Sequence, residues 1–260
     1  GEFMIIISQN TFLVVGIILF CLFRGAIKIK GIIKEEYTYK QIYSNEEFIF
    51  DLFCIYLIGV ASKVYFPLTI AWGNKLVYNP PEVWLSPLWS IKQIYHQGGL
   101  GGVIYQLIGN SIMLSPMAFF LCYFYSIDEE KLTLGKGIID KINKILESFE
   151  LHNKKKLKED SYVPSLNTVL KFCFFMSLFI ESSQVILSLV FPNTKRFFEV
   201  NDLMCNTLSG VWGYYIYIKV IKLDIIPKKY LSYKIKSNFF IEAISRLRVF
   251  NIEIKNIFLK

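Results

Sequence analysis

Five blocks of apolar residues, each close to the length of a membrane span, follow one another along this chain, separated by polar segments. They run from Met4 to Phe23, Phe48 to Pro67, Tyr105 to Tyr125, Thr168 to Phe191 and Val200 to Ile221. A helix of ~20 mostly apolar residues crosses a hydrocarbon core of ~30 Å, so each block predicts one transmembrane helix. The third and fifth carry polar residues near their starts. The first has almost no charged lead-in and no small-residue cleavage site, so it predicts a retained span and not a signal peptide. Residues 1–3, Gly1-Glu2-Phe3 ahead of Met4, read as a cloning remnant. No internal repeat is visible, which leaves an inverted-repeat transporter without support.

Composition agrees with this pattern. Hydrophobic residues make up 53% of the chain and charged ones 19%, with mean hydropathy +0.41. That balance argues against a soluble fold and for an all-α integral membrane protein of about five transmembrane helices. The net charge is +8, and the basic residues sit between the blocks, where they suit anionic lipid headgroups better than nucleic acid. Lys and Arg number five in Arg24–Glu47, eight in Ser126–Asn167 and nine from Lys222 onward, against two in Leu68–Ile104 and two in Pro192–Glu199. The positive-inside rule then places the N terminus outside and the C terminus in the cytoplasm.

Residues 4–221 thus form the transmembrane domain, interrupted by a charged cytoplasmic insert at 126–166 and followed by a basic tail at 222–260. Lys136–Lys158 reads as a charge-rich helix. In the tail, Phe239, Phe240, Ala243, Ile244, Leu247 and Phe250 recur at helical spacing, as in a basic amphipathic helix on the inner leaflet. The loop after the second span carries Trp72, Trp84 and Trp89 with Tyr78, Pro80, Pro81 and Pro87. Its aromatics predict a segment lying on the outer bilayer surface or acting as a lid. Gly98, Gly99, Gly101 and Gly102 read as a flexible run before the third span.

Candidate chemistry concentrates between Phe179 and Tyr214. Ionisable groups within a span are costly and mark functional sites. Ser177, Glu181, Gln184 and Ser188 share one helix face by spacing, as do Asp202, Asn206, Ser209 or Gly210, and Gly213 on the next span. Asn110 lies near the outer end of the third span, above a kink at Pro116. Asn110, Glu181, Gln184, Arg196, Asp202 and Asn206 form the candidate ligand-binding set, with an Arg196–Asp202 ion pair at the mouth and Glu181 deeper. For Asn206 and Ser188, interhelical hydrogen bonding is the simpler role. No cofactor is expected. The five cysteines lie in apolar blocks with no Cys/His cluster, which excludes a structural zinc site. No catalytic Ser-His-Asp or Cys-His set can be assembled from the spans. An enzyme using Glu181 and Asp202 as acid and base, or as ligands of a divalent cation, is the alternative.

Three stretches resemble the VanZ-like family of bacterial membrane proteins. Leu85-Ser86-Pro87-Leu88 is similar to the family's Asn-Leu-Ile-Pro-Phe stretch. Gly109-Asn110-Ser111-Ile112-Met113-Leu114-Ser115-Pro116 is similar to its Asn-x5-Pro helix. Ile180-Glu181-Ser182-Ser183-Gln184 and Arg196 to Leu208 resemble its Glu-x-x-Gln, Arg-x-x-acid and Asp-x3-Asn-Thr-Leu-Gly run. The likeness is strongest over 85–125 and 168–214. Ser209 departs from the family's usual Gly. The resemblance implies lowered susceptibility to teicoplanin-type glycopeptides and lipoglycopeptides, at the bacterial cell membrane. The expected partners are membrane lipids with a lipid-linked cell-wall precursor or the lipoglycopeptide itself, and no nucleic acid.

Overall fold

The computed structural model describes residues 3–34, 36–42, 44–73, 77–127, 132–150 and 163–222. Strand β1 (Phe3–Ile7) leads into α1 (Gln9–Ile33), α2 (Tyr39–Ile42) and α3 (Asn45–Tyr65). Strands β2 (Leu68–Trp72) and β3 (Glu82–Trp84) precede α4 (Pro87–Met113) and α5 (Ser115–Ser126). Helices α6 (Lys136–Glu150) and α7 (Leu166–Val190), strand β4 (Phe197–Glu199) and α8 (Val200–Lys222) complete the order.

Four of the five expected spans are long and apolar enough to cross a membrane: α1, α3, the stretch Gly98–Ser126, and α7. The fifth forms as α8, but it is more polar than the others and is not among those four. Its polar and small residues meet α4, α5 and α7 across their contact faces, where packing and hydrogen bonds hold helices together in lipid. Helix α1 is the opposite case. Only 6% of its most apolar stretch is buried, so most of its apolar surface faces outward, as a lipid-facing helix requires.

The first span starts later than the hydropathy implies. Met4-Ile5-Ile6-Ile7 is rich in β-branched residues, which favour extended backbone. It forms β1, antiparallel to β2, with Phe3 stacked on Trp72. Residue 3, read as part of a remnant, therefore lies within the strand. Ser8 then caps α1, its side chain accepting from the Thr11 N–H at 3.1 Å.

The third span is also not one helix. Its helical structure begins at Pro87, so the glycine run is not a linker but lies inside α4, where Gly99 breaks the helix at φ 61 and ψ −161. That positive φ suits a residue without a Cβ. A second break falls at Leu114, just ahead of Pro116, which lacks the N–H that a helix interior needs and so fits the first turn of α5. The broken end is satisfied from neighbouring helices. The Leu114 N–H donates to Ser209 Oγ on α8 at 3.1 Å, and Tyr56 of α3 donates its hydroxyl to the Met113 carbonyl at 2.8 Å. Ser209, the departure from the family pattern, thus serves as the acceptor at the α4–α5 break.

Helix α5 is the centre of the bundle, in contact with α3, α4, α6, α7 and α8. Leu114, Ala118, Leu121, Cys122 and Phe124 are fully buried there. At the basic end, Glu47 accepts from Arg24 and from the backbone N–H groups of Thr133, Leu134 and Gly135 leading into α6. Asp51 takes Arg24 and Lys28. The charge-rich stretch from Lys136 is helical to Glu150. Residues 151–162 and the expected tail helix at 239–250 lie outside the described residues.

Candidate ligand-binding site

At the other end of the bundle is the aromatic loop after α3. Two of its segments are strands, and β3 pairs in parallel with β4, the strand between α7 and α8. Side chains alternate faces along a strand. Glu82 and Trp84 therefore share a face with each other, as do Phe197 and Glu199, with Lys195 just ahead of β4. Together with Gln93, Ile94 and Gln106 of α4 they line a pocket of ≈ 450 Å³, within the range typical of small-molecule sites.

The walls and rim are well defined. Trp84 and Phe197 rings lie 4.6 Å apart at 36°. Lys195 pairs with Glu82 at 2.6 Å and places its ammonium 5.0 Å from the Phe197 ring centre. Trp84 Nε1 donates to the second Glu82 oxygen at 3.1 Å. Below them, one amide of Gln106 donates to both Glu199 at 3.2 Å and Asp202 at 3.3 Å. Asn110 donates to the same Asp202 oxygen. Glu199 gives its backbone N–H to the Glu181 carboxylate at 3.1 Å. Three carboxyl groups from α7, β4 and α8 are thus connected through one amide and one backbone bond. Asn201 fixes the start of α8 to the start of α4 by donating to the Pro87 carbonyl at 2.9 Å and to Ser90 Oγ.

The helix register extends the cluster downward. A Cβ on Gly210 would lie 2.8 Å from Cys173 Sγ, so α7 and α8 touch at that level. In an antiparallel hairpin, one-turn steps in opposite directions bring Ser177 level with Asn206, and then Glu181 level with Asp202. All four belong to the α7–α8 contact face. Asn206 and Ser177 are 1% and 0% exposed, and neither side chain has a hydrogen-bond partner among the described residues.

The structure thus brings together Asn110, Glu181 and Asp202 of the sequence-derived set, with Asn206 one turn below. Two members sit elsewhere. Gln184 donates to the Val64 carbonyl of α3 at 3.0 Å. Arg196 does not form the expected pair with Asp202. It donates to the Pro67 carbonyl at 3.1 Å and has no ion pair among the described residues. Arg196 precedes β4 and its guanidinium reaches the Pro67 carbonyl, whereas Lys195, Phe197 and Glu199 line the pocket. Gln106 was legible in principle, one helical turn before Asn110 on the same face. Glu82, Trp84 and Lys195 depend on a strand pairing that carries no local sequence signal.

Burial, then the neighbouring Asp202 charge, pushes the Glu199 carboxyl from the usual 4.5 up to about 7, against the pull of the Gln106 hydrogen bond. The sign of the effect on stability follows from linkage. A carboxyl raised on folding adds stability that is present below its unfolded pKa and is lost as pH rises through its folded one. Between pH 4.5 and about 7, Glu199→Gln is therefore expected to gain melting temperature relative to the unaltered protein. Parallel melting curves for the two proteins across that window would remove Glu199 from the buried cluster.

No group of three or more His, Cys, Asp or Glu among the described residues has the arrangement to hold a metal ion. The carboxyls, amides and aromatic walls suit instead a polar or charged group entering from the rim.

The sequence model of the VanZ/LLP1 family matches residues 53–223. That range covers well over half of the chain and contains α4, α5, α7, β3, β4 and every pocket residue named above. No curated protein and no solved structure matches the chain. With its four membrane-spanning candidates and this match, the chain belongs to the VanZ/LLP1 family of membrane proteins.

Proposed function

We propose that this protein lowers susceptibility to teicoplanin-type lipoglycopeptides by holding a lipid-linked or cell-wall headgroup, or the antibiotic's acyl portion, in the pocket between β3, β4 and α4. One observation carries the reading. The pocket and its three connected carboxyls lie at one end of the bundle, while Arg24 and Lys28 pack at the other. The positive-inside rule turns the basic end to the cytoplasm and the pocket to the outer leaflet of the cell membrane, where such antibiotics act. The aromatic walls offer stacking surface and the carboxyls offer acceptors.

The test is teicoplanin susceptibility of cells expressing the protein, together with Glu199→Gln and Asp202→Asn. Loss of a hydrogen bond to a charged group is worth ~1.5–3 kcal/mol, or roughly tenfold to a hundredfold in affinity. Both variants are therefore expected to return susceptibility toward that of cells without the protein, at equal membrane abundance. A cysteine at Lys92, exposed beside the pocket, is expected to label from outside in the same cells. Unchanged susceptibility in both variants would sink the reading.

An enzyme acting on a lipid-linked substrate is the second reading, carried by the closeness of Glu181, Glu199 and Asp202, which suits acid–base chemistry. Turnover of such a substrate by purified protein, lost on Glu181→Gln, would favour it over a binder.

A further inference from the structure

We propose that the group the pocket takes is an organic ammonium, carried by an aminated lipid headgroup or by a free amine. The inference rests on the reading of the pocket as a ligand site and adds the charge and chemistry of what enters. Four observations point the same way.

First, Glu199 lines the pocket and joins it to an acidic cluster, with Glu181 and Asp202 behind the lining, that lacks a counter-charge. Glu181, Glu199 and Asp202 are joined through Gln106, Asn110 and a backbone N–H, and no Lys or Arg reaches them among the described residues. Lys195 pairs instead with Glu82, and Arg196 donates to the Pro67 carbonyl. An anionic group would meet like charge there, whereas a cation supplies what the cluster lacks.

Second, the pocket already accommodates an ammonium of the protein's own. Lys195 Nζ sits at the rim between the Glu82 carboxylate and the Phe197 ring. A carboxylate and an aromatic face are the two partners that recognise organic cations. The Trp84 and Phe197 rings, 4.6 Å apart, line the same pocket as the Glu199 carboxyl.

Third, the cavity of ≈ 450 Å³ has room for a headgroup beyond Lys195. Beneath its floor, Asn206 and Ser177 are buried and unpartnered, level by level with Asp202 and Glu181. An ammonium carries three N–H donors. Asn206 Oδ1 and Ser177 Oγ extend the column of acceptors inward from the carboxyls.

Fourth, the surroundings are apolar. Leu85, Leu100 and Ile104 are exposed at 68%, 64% and 47% and flank the lining residues along the chain. An amphiphile can seat its head among the carboxyls while its chains lie along these residues.

The full chain is purified and placed in nanodiscs of phosphatidylglycerol, alone or with phosphatidylethanolamine. Retained lipid is then counted by native mass spectrometry and the melting temperature recorded. Phosphatidylethanolamine is expected to be retained about tenfold over phosphatidylglycerol and to raise the melting temperature. Glu199→Gln is expected to erase that preference. Trp84→Leu, on a half-buried strand position away from the bundle core, removes the aromatic wall and is expected to weaken the preference even where Glu199→Gln folds poorly. Soluble ethanolamine separates the sources. If ethanolamine alone raises the melting temperature, and does not in Glu199→Gln, a free amine suffices. If only the lipid does so, the headgroup must arrive on its chains. Equal retention of the two lipids with no response to ethanolamine overturns the proposal, as does an undiminished preference in both variants.

Failure here and failure of the resistance reading are separable. Glu199-dependent susceptibility without amine preference would discard the ammonium and keep the pocket. Amine preference without any change in susceptibility would do the reverse.

Discussion

Replacing Gly213 with alanine is expected to separate α8 from α5 and leave little folded protein. A Cβ at this position would lie 1.9 Å from the Ser115 carbonyl oxygen and 2.8 Å from Ala118 Cβ. No rotamer change relieves such an overlap, because the first obstacle is backbone and the second is a methyl with no freedom. Overpacking by one group costs ~1–3 kcal/mol where side chains can move, and here the helix itself must shift. The displacement falls at the start of α5, the helix that every other core element touches. Alanine at Gly109 is the matched control. It is also a helical glycine, but a Cβ there meets nothing within 4 Å, so the change should be neutral or gain ~1 kcal/mol from helix propensity. Thermal denaturation in detergent with size-exclusion chromatography reads both. Equal melting temperatures for the two variants would mean that α5 and α8 are not in contact at this glycine. Ala118→Gly should not rescue Gly213→Ala, since the Ser115 oxygen remains.

The second large effect is expected at the opposite end of the molecule. Glu47 is 0% exposed and neutralises Arg24, itself 7% exposed, while its other oxygen gathers the three N–H groups before α6. Glu47→Ala leaves a buried guanidinium with Asp51 alone and three amides without their acceptor. Removing one partner of a buried pair costs ~3–5 kcal/mol. The exposed pair Lys34–Glu36, 3.7 Å apart at the surface, sets the scale for comparison: Glu36→Ala should cost under ~1 kcal/mol. Chemical denaturation of the two variants side by side checks this. A Glu47→Ala loss no greater than that of Glu36→Ala would mean the network is solvated and α6 is held by its apolar contacts alone.

Hydropathy located the helices because lipid imposes one simple demand, a run of apolar residues of fixed length, and α3 and α7 follow it within a few residues. It failed where local chemistry competes with length. Met4–Ile7 is as apolar as any helix, but its β-branched residues and a nearby partner strand make it β1. Leu114 divides what hydropathy reads as one span, and Gly99 breaks α4 ahead of it. The polar set was legible as a set, since Glu181 with Ser177 and Asp202 with Asn206 each recur at helix spacing in apolar spans and Asn110 lies in a third, and the hairpin of α7 and α8 brings Glu181 and Asp202 level. Its partners were not. Arg196 stands six residues from Asp202 in sequence, which favoured pairing them, but the chain just before β4 carries its guanidinium to the Pro67 carbonyl and the pocket goes to Phe197 and Glu199. Glu82 and Trp84 enter through a parallel pairing between distant segments, and neither strand announces the other.

That pairing also sets an order of assembly during synthesis. Val77 and Asn193, hydrogen-bonded beside the two strands, are 116 residues apart, and Gln106 and Asn110 wait 96 and 92 residues for their acceptor on α8. When α4 leaves the ribosome it brings two amides into the membrane with no carboxylate to receive them, and β3 presents an unpaired edge. The half-site becomes whole only after α7 has turned back through β4. A ribosome stalled before that turn therefore holds a nascent chain with α1, α3 and α5 present and no pocket.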